Sequence, residues 1–286
     1  MKRAMFPMVM LFFATTLTMC TTKEKKEIGL QLYSVRDAMK EAPVETVKKV
    51  GKMGYTFVEA AGYAEGKFYG MEPEEFTGLV EESGMKFISS HTGQALPDSA
   101  SWDETMQWWD RCIDAHKKAG VKYIVQPWMG EVGYNSLDGL KRYCEYFNAV
   151  GEKCRENGIL FGYHNHDGEF AELEGEVIYD FMLQNTDPDK VFFQIDLYWI
   201  KEGGKNPVDY FNNYPGRFLL WHVKDEKELG ASGEMDFESY FALADKAGVD
   251  YIIVEVEKYN FDPLESVKKS LEFLQSADFV RNSYTE

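Results

Sequence analysis

Four of the five histidines in this chain fall at or just after the carboxyl end of a short apolar run. His91 ends MKFISSH, His164 and His166 end ILFGYHNH, and His222 ends FLLWH. Carboxylates recur at the same kind of place: Glu59 ends YTFVE, Asp196 ends VFFQID, and Glu255 ends YIIVE with Glu257 two residues on. Imidazole nitrogens mixed with carboxylate oxygens form a donor set suited to one divalent ion such as Mn, Co, Zn or Fe. The same side chains move protons near neutral pH. Either chemistry requires residues far apart in the chain to meet at one place.

The elements that would bring them together are legible as a repeat. Apolar, β-rich runs occur at 28–34, 55–61, 85–91, 121–127, 158–166, 190–196, 217–223 and 250–256. Several follow a glycine, as with Gly54 and Gly248, which suits a helix end that turns with positive φ into a strand. Between the runs, apolar residues spaced three and four apart predict one-sided helices: Pro43 to Met53, Trp102 to Ala119, Phe237 to Ala247 and Pro263 to Leu274. The runs themselves are nearly continuous in Val, Ile, Phe and Tyr, as in parallel strands buried on both faces. Eight βα units at this length predict an α/β fold, a (β/α)8 TIM barrel. No glycine-rich phosphate loop of the kind found in doubly wound sheets follows any run.

In such a barrel the strand ends share one rim. His164, Asp196, His222 and Glu255 then come from four adjacent strands, the fifth to the eighth, as metal ligands. Glu255, His166, Lys224 and Glu59 are the candidate proton carriers, with Glu257 beside them. Gln31, Tyr33, Arg36, Tyr63, His91, Gln126, Trp128, Trp199 and Glu257 are the candidate substrate contacts, because aromatic faces with amide and carboxylate neighbours suit a sugar ring. Asp236 is expected to cap the helix that follows it.

The chain ends and the composition bear on location and partners. Residues 1–19 carry Lys2 and Arg3 followed by an apolar stretch, the pattern of an export signal. LTMC, ending at Cys20, resembles a lipobox, so Cys20 is the expected lipidation site, residues 20–27 a tether and residues 28–286 the barrel. The expected protein is an exported lipoprotein, periplasmic or associated with the outer membrane, touching the membrane only through its lipid. A formal net charge of −17 disfavours a nucleic-acid partner. Cys144 and Cys154 fall on one predicted helix about 15 Å apart, too far to bridge. Cys112 is near enough in the repeat to reach one of them, but buried free thiols are the favoured reading.

The segments GLQLYSVRD, YHNHDGEF, IDLYW and WHVKD make the mature chain resemble the xylose isomerase-like TIM-barrel superfamily, in its sugar phosphate isomerase/epimerase branch. The resemblance implies an enzyme that uses a divalent metal on a keto-sugar or polyol through an enediolate. In the family's epimerases the metal is held by Glu, Asp, His and Glu on strands 5 to 8, which implies Asp196, His222 and Glu255. His164 stands at the strand 5 position, and Trp199 stands where those epimerases have a substrate-binding histidine. Both departures weigh against two-base epimerisation. They favour elimination, hydration or one-base isomerisation on an unphosphorylated sugar, as in family members acting on 3-keto-glucosides. The alternatives are a non-catalytic carbohydrate-binding lipoprotein and an endonuclease IV-like enzyme. The latter needs more histidines and a basic face.

Overall fold

The computed structural model describes residues 25–285. Eight parallel strands close into one barrel. They are β1 (Gly29–Gln31), β2 (Phe57–Ala60), β3 (Lys86–His91), β4 (Tyr123–Gln126), β5 (Leu160–His164), β6 (Val191–Asp196), β7 (Leu220–Val223) and β8 (Tyr251–Val254). Each pairs with its neighbours in chain order, and the ring closes where Gly29 and Leu30 of β1 meet Ile253 and Val254 of β8. The expected (β/α)8 barrel is therefore the observed fold.

Alternation along the strands explains where the polar residues go. One face of each strand packs outward against the helices in the main core, as with Val58, Phe161, Ile195, Trp221 and Ile252. The other face points into the barrel. Its lower layer is apolar, built from Phe57, Ile88, Tyr123, Val125, Phe192, Leu220 and Ile253. One pleat further along the same face come Glu59, Gln194 and His222, then Asp196 and Glu255. The barrel floor is thus a plug of side chains, and the polar groups sit above it at the carboxyl ends, where TIM-barrel sites form.

The helices take the predicted positions, including Pro43–Met53, Trp102–Lys118, Leu137–Glu156 and Pro263–Ser276. Phe237–Ala247 is broken into Phe237–Phe241 and Ala244–Ala247, and the Asp236 side chain accepts the Ser239 N–H at the start of the first piece. Gly54 and Gly248 end their helices with positive φ. Cys112, Cys144 and Cys154 are buried free thiols. No helix among the described residues is long and apolar enough to cross a membrane. Cys20, the export signal and most of the tether lie outside the described residues.

Candidate active site

A cavity of about 530 Å³ opens at the carboxyl end of the barrel. Tyr33, Tyr63 and Trp128 form its aromatic wall, and His91, His164, His166, Glu255 and Glu257 form its polar wall. Beneath them lie Asp196 and His222, both fully buried. His164, Asp196, His222 and Glu255 each bring a donor atom to within 4.8 Å of the others. The strands that deliver them are consecutive, β5 to β8, with Glu255 one residue past β8.

Glu59 and Gln194 organise the layer below. Glu59 Oε1 accepts from Gln31 Nε2 at 2.7 Å and from His222 Nε2 at 2.6 Å, with His91 Nε2 3.2 Å away. Its Oε2 accepts from Ser89 Oγ and from Gln194 Nε2, the latter at 2.8 Å. With its amide nitrogen turned to that carboxylate, Gln194 presents Oε1 to two rings, His91 Nε2 at 2.6 Å and His164 Nδ1 at 3.1 Å. A carbonyl oxygen only accepts, so His164 carries its proton on Nδ1 and keeps the Nε2 lone pair free. His222 likewise donates Nε2–H to Glu59 and turns Nδ1 toward Glu255, 3.2 Å away. A histidine oriented by a carboxylate on its far nitrogen is the usual supporting arrangement of a metal ligand.

The charges follow from these contacts. Burial alone would raise the Glu59 carboxyl, but the His91 and His222 rings outweigh it and bring it down to about 2. Burial would lower His222, but with no ion present Glu255 and Glu59 raise it to about 10, so an ion at Nδ1 would take the place of a proton there. Burial, reinforced by the neighbouring imidazoles, pushes His164 well below the ordinary histidine range, so it is a neutral donor. Burial also lowers His91. Glu255 is held well below the usual carboxylate range against its burial, because Lys224 and His222 stand beside it. Lys224 Nζ lies 3.0 Å from Glu255 and 2.9 Å from Glu257, and sits 4.7 Å over the Trp199 ring.

Two observations make the four donors fit a divalent ion. Asp196 spends Oδ1 on the N–H groups of Tyr198 and Trp199, both at 2.9 Å, which starts the helix Leu197–Glu202. Its Oδ2 is buried and has no hydrogen-bond partner, with the Lys224 ammonium 3.7 Å off. Burial raises the Asp196 carboxyl accordingly. A buried, unsatisfied carboxylate oxygen beside a neutral imidazole with a free lone pair is a costly arrangement that a cation relieves. Two nitrogens and two oxygens match the preference of Zn, Mn, Co or Fe.

Several expected site residues stand elsewhere. Glu59, expected to carry protons, lies beneath the cavity wall with every lone pair directed at a donor, and Gln31 is buried with it. Lys224 is buried and faces carboxylates rather than the cavity. Arg36 donates to Tyr259 Oη at 2.8 Å and lines a separate groove with Asp37 and Asp262. Gln126 uses its amide nitrogen on the carbonyls of Gln94 and Trp128, both at 3.0 Å, and so ties two loops together. Trp199 lies under Lys224 with a buried, unpartnered Nε1, its ring 5.9 Å from His166. Sequence reasoning missed Gln194, Ser89 and Asn165, whose Oδ1 accepts the Asp196 N–H at 3.1 Å. The sole sequence signal for Asn165 was its place between two rim histidines.

A profile of the xylose isomerase-like TIM barrel matches residues 47–277. The chain belongs to that family. A solved family structure, a sugar phosphate isomerase/epimerase from Parabacteroides distasonis ATCC 8503, superposes with a TM-score of 0.84 at 33% identity, over 90% of this chain and all of that one. Inosose dehydratase from Lacticaseibacillus casei is 26% identical over 165 residues, 49% of this chain and 55% of that protein. Inosose dehydratase from Geobacillus kaustophilus is 22% identical over 220 residues, 68% of this chain and 67% of that protein. This chain thus matches little more than half the length of the first of these relatives and about two thirds of the second.

Proposed function

We propose that this protein is a divalent-metal-dependent enzyme that removes a proton beside the carbonyl of an unphosphorylated keto-sugar or keto-polyol, with elimination or addition of water as the outcome. The observation that carries the reading is the convergence of His164, Asp196, His222 and Glu255 under a cavity walled by His166. The inosose dehydratase relatives support water elimination as the reaction class. A bound ion at the four donors supplies Lewis acidity toward a carbonyl and an adjacent hydroxyl. The chain supplies the rest. With His164 assigned as a ligand, the proton acceptor on the β5 side is His166, whose ring stands 5.0 Å from that of His164. Glu257, on the cavity wall at the β8 side and paired with the buried Lys224 at 2.9 Å, is the second acid–base group. Tyr33, Tyr63 and Trp128 offer faces for a sugar ring. Glu59 and Gln194 keep the histidines in the tautomers that ligation needs.

We also propose, on the leader and the LTMC sequence, that the barrel works outside the cytoplasm, tethered through Cys20. An exported enzyme meets unphosphorylated sugars.

The test is metal analysis followed by turnover in deuterated water on a panel of 3-keto-sugars, inososes and free ketoses. The expected result is one divalent ion per chain, lost in Asp196→Ala, and deuterium uptake accompanied by gain or loss of water. Full metal content in Asp196→Ala, or rapid 3-epimerisation of free ketoses, overturns the reading.

A further inference from the structure

Glu169 is 1% exposed, and three neutral donors converge on its carboxylate. Oε1 accepts from Tyr134 Oη at 2.5 Å and Tyr163 Oη at 2.6 Å. Oε2 accepts the backbone N–H of His166 at 2.8 Å. No ion pair among the described residues includes it. A carboxylate withdrawn from water and held only by neutral groups is expensive for the fold, so its placement calls for a reason.

The reason lies in what its partners carry. Tyr163 sits on β5 one residue before His164 and points outward, its ring 5.3 Å from Phe147 in the helix layer. Tyr134 lies on the short helix Val132–Asn135, in the connection that brings Trp128 to the cavity mouth. The third donor is the backbone of His166 itself. The His166 ring has no side-chain hydrogen bond among the described residues; the aromatic rings it faces are those of His164 and Trp199. Its place on the cavity wall is therefore set by its backbone, and the Glu169 carboxylate anchors that backbone to both β5 and the β4 connection.

We infer that Glu169 is a positioning residue that fixes the His166 imidazole at the reacting centre; this rests on the reading of His166 as proton acceptor given above. The YHNHDGE segment then divides its work. His164 offers a donor to the ion, Asn165 holds the Asp196 backbone, His166 faces the substrate, and Glu169 holds His166 in place. Glutamine does not reproduce Glu169: with its Oε1 on the His166 N–H, its –NH2 faces the Tyr134 and Tyr163 hydroxyls, which must turn to accept and leave their own protons without the carboxylate; with the amide flipped, the –NH2 meets the His166 N–H.

The experiment uses the full metal-loaded chain. Side-chain nitrogen NMR of the histidines, assigned with His166→Asn, reads His166 directly. In Glu169→Gln the His166 signals shift or broaden while those of His164 and His222 stay, and metal content is unchanged. Kinetically, Glu169→Gln lowers kcat about 10²-fold with KM little changed, the scale of a misplaced reacting group. His166→Asn loses about 10² to 10⁴-fold, and adding Glu169→Gln to it costs nothing more, since the group being positioned is already gone. Unmoved His166 signals in Glu169→Gln, or equal losses with and without His166, overturn the inference. If Glu169→Gln does not fold, Tyr163→Phe carries the same NMR test, with a smaller His166 shift expected and none overturning it. If the wild type turns over no sugar in the panel, the proposed function fails, while the NMR arm still decides whether Glu169 places His166.

Discussion

His116 stands apart from the rim histidines, inside the helix Trp102–Lys118, and it governs stability rather than chemistry. It is fully buried, with Nδ1 2.7 Å from the Cys112 carbonyl and Nε2 lacking any partner. The rings of Tyr63 and Phe68 each lie 4.9 Å from it. Burial lowers it from the ordinary 6.5 to about 4, against the Cys112 hydrogen bond, which acts the other way. Between those values the unfolded chain binds a proton that the folded chain does not. Stability is therefore complete above pH 6.5 and declines as pH falls toward 4, by up to about 3 kcal/mol from this residue. His116→Leu should flatten that part of the profile in urea titrations at stepped pH; parallel slopes for variant and wild type would refute it. The residue scale is also where the sequence was least informative. Glu59 at a strand end looked like a proton carrier, yet tertiary closure surrounds it with donors from β1, β3, β6 and β7. Gln194 lies inside an apolar run and Glu169 in a polar turn. Nothing in the local pattern of either marks a hydrogen-bond centre, because the partners come from other strands and loops.

At the scale of elements the sequence is far more legible. All eight apolar runs contain the observed strands, because a strand buried on both faces must be written in continuous apolar residues. The run at 158–166 overshoots β5, which ends at His164, because the functional residues continue past the last ladder bond. Helix placement has a further determinant that periodicity does not reveal, namely the distance of approach. A Cβ on Gly151, in the helix Leu137–Glu156, would stand 2.2 Å from the Lys190 carbonyl oxygen just before β6. Alanine gains about 1 kcal/mol over glycine in a helix interior, but overpacking against fixed backbone costs about 1–3 kcal/mol. Gly151→Ala is therefore expected to destabilise. Gly78 in the helix Pro73–Glu82 has nothing within 4 Å of the same atom, so Gly78→Ala should stabilise. Urea midpoints that move the same way in both variants would contradict the close-approach argument.

The whole molecule has two ends with different uses. The cavity lies at the carboxyl ends of the strands. The described chain begins at the opposite face, where Lys26 donates to the Leu274 and Ala277 carbonyls and Glu27 pairs with Lys86 at the start of β3. From Cys20 to residue 25 an extended chain spans at most about 18 Å. A lipid on Cys20 would therefore hold the barrel by its floor and leave the cavity mouth directed away from the membrane. A net charge of −17 gives no net electrostatic attraction to anionic headgroups, so in the proposed lipoprotein retention would come from the lipid itself. A single acyl chain binds only marginally, which makes a multiply acylated cysteine the sufficient anchor. Three outcomes follow for cells grown with a labelled fatty acid. Wild-type protein is labelled and stays with membranes through a high-salt wash. Cys20→Ala is unlabelled and is not retained by membranes. Because the proposed anchor precedes a described segment that lies far from the cavity, the kcat/KM of Cys20→Ala on the substrate found in the panel is expected to equal that of the wild type. Label on Cys20→Ala, or release of the wild type by salt, would remove the anchor from this account. A large loss of kcat/KM in the soluble variant would show that the floor and the rim are not independent.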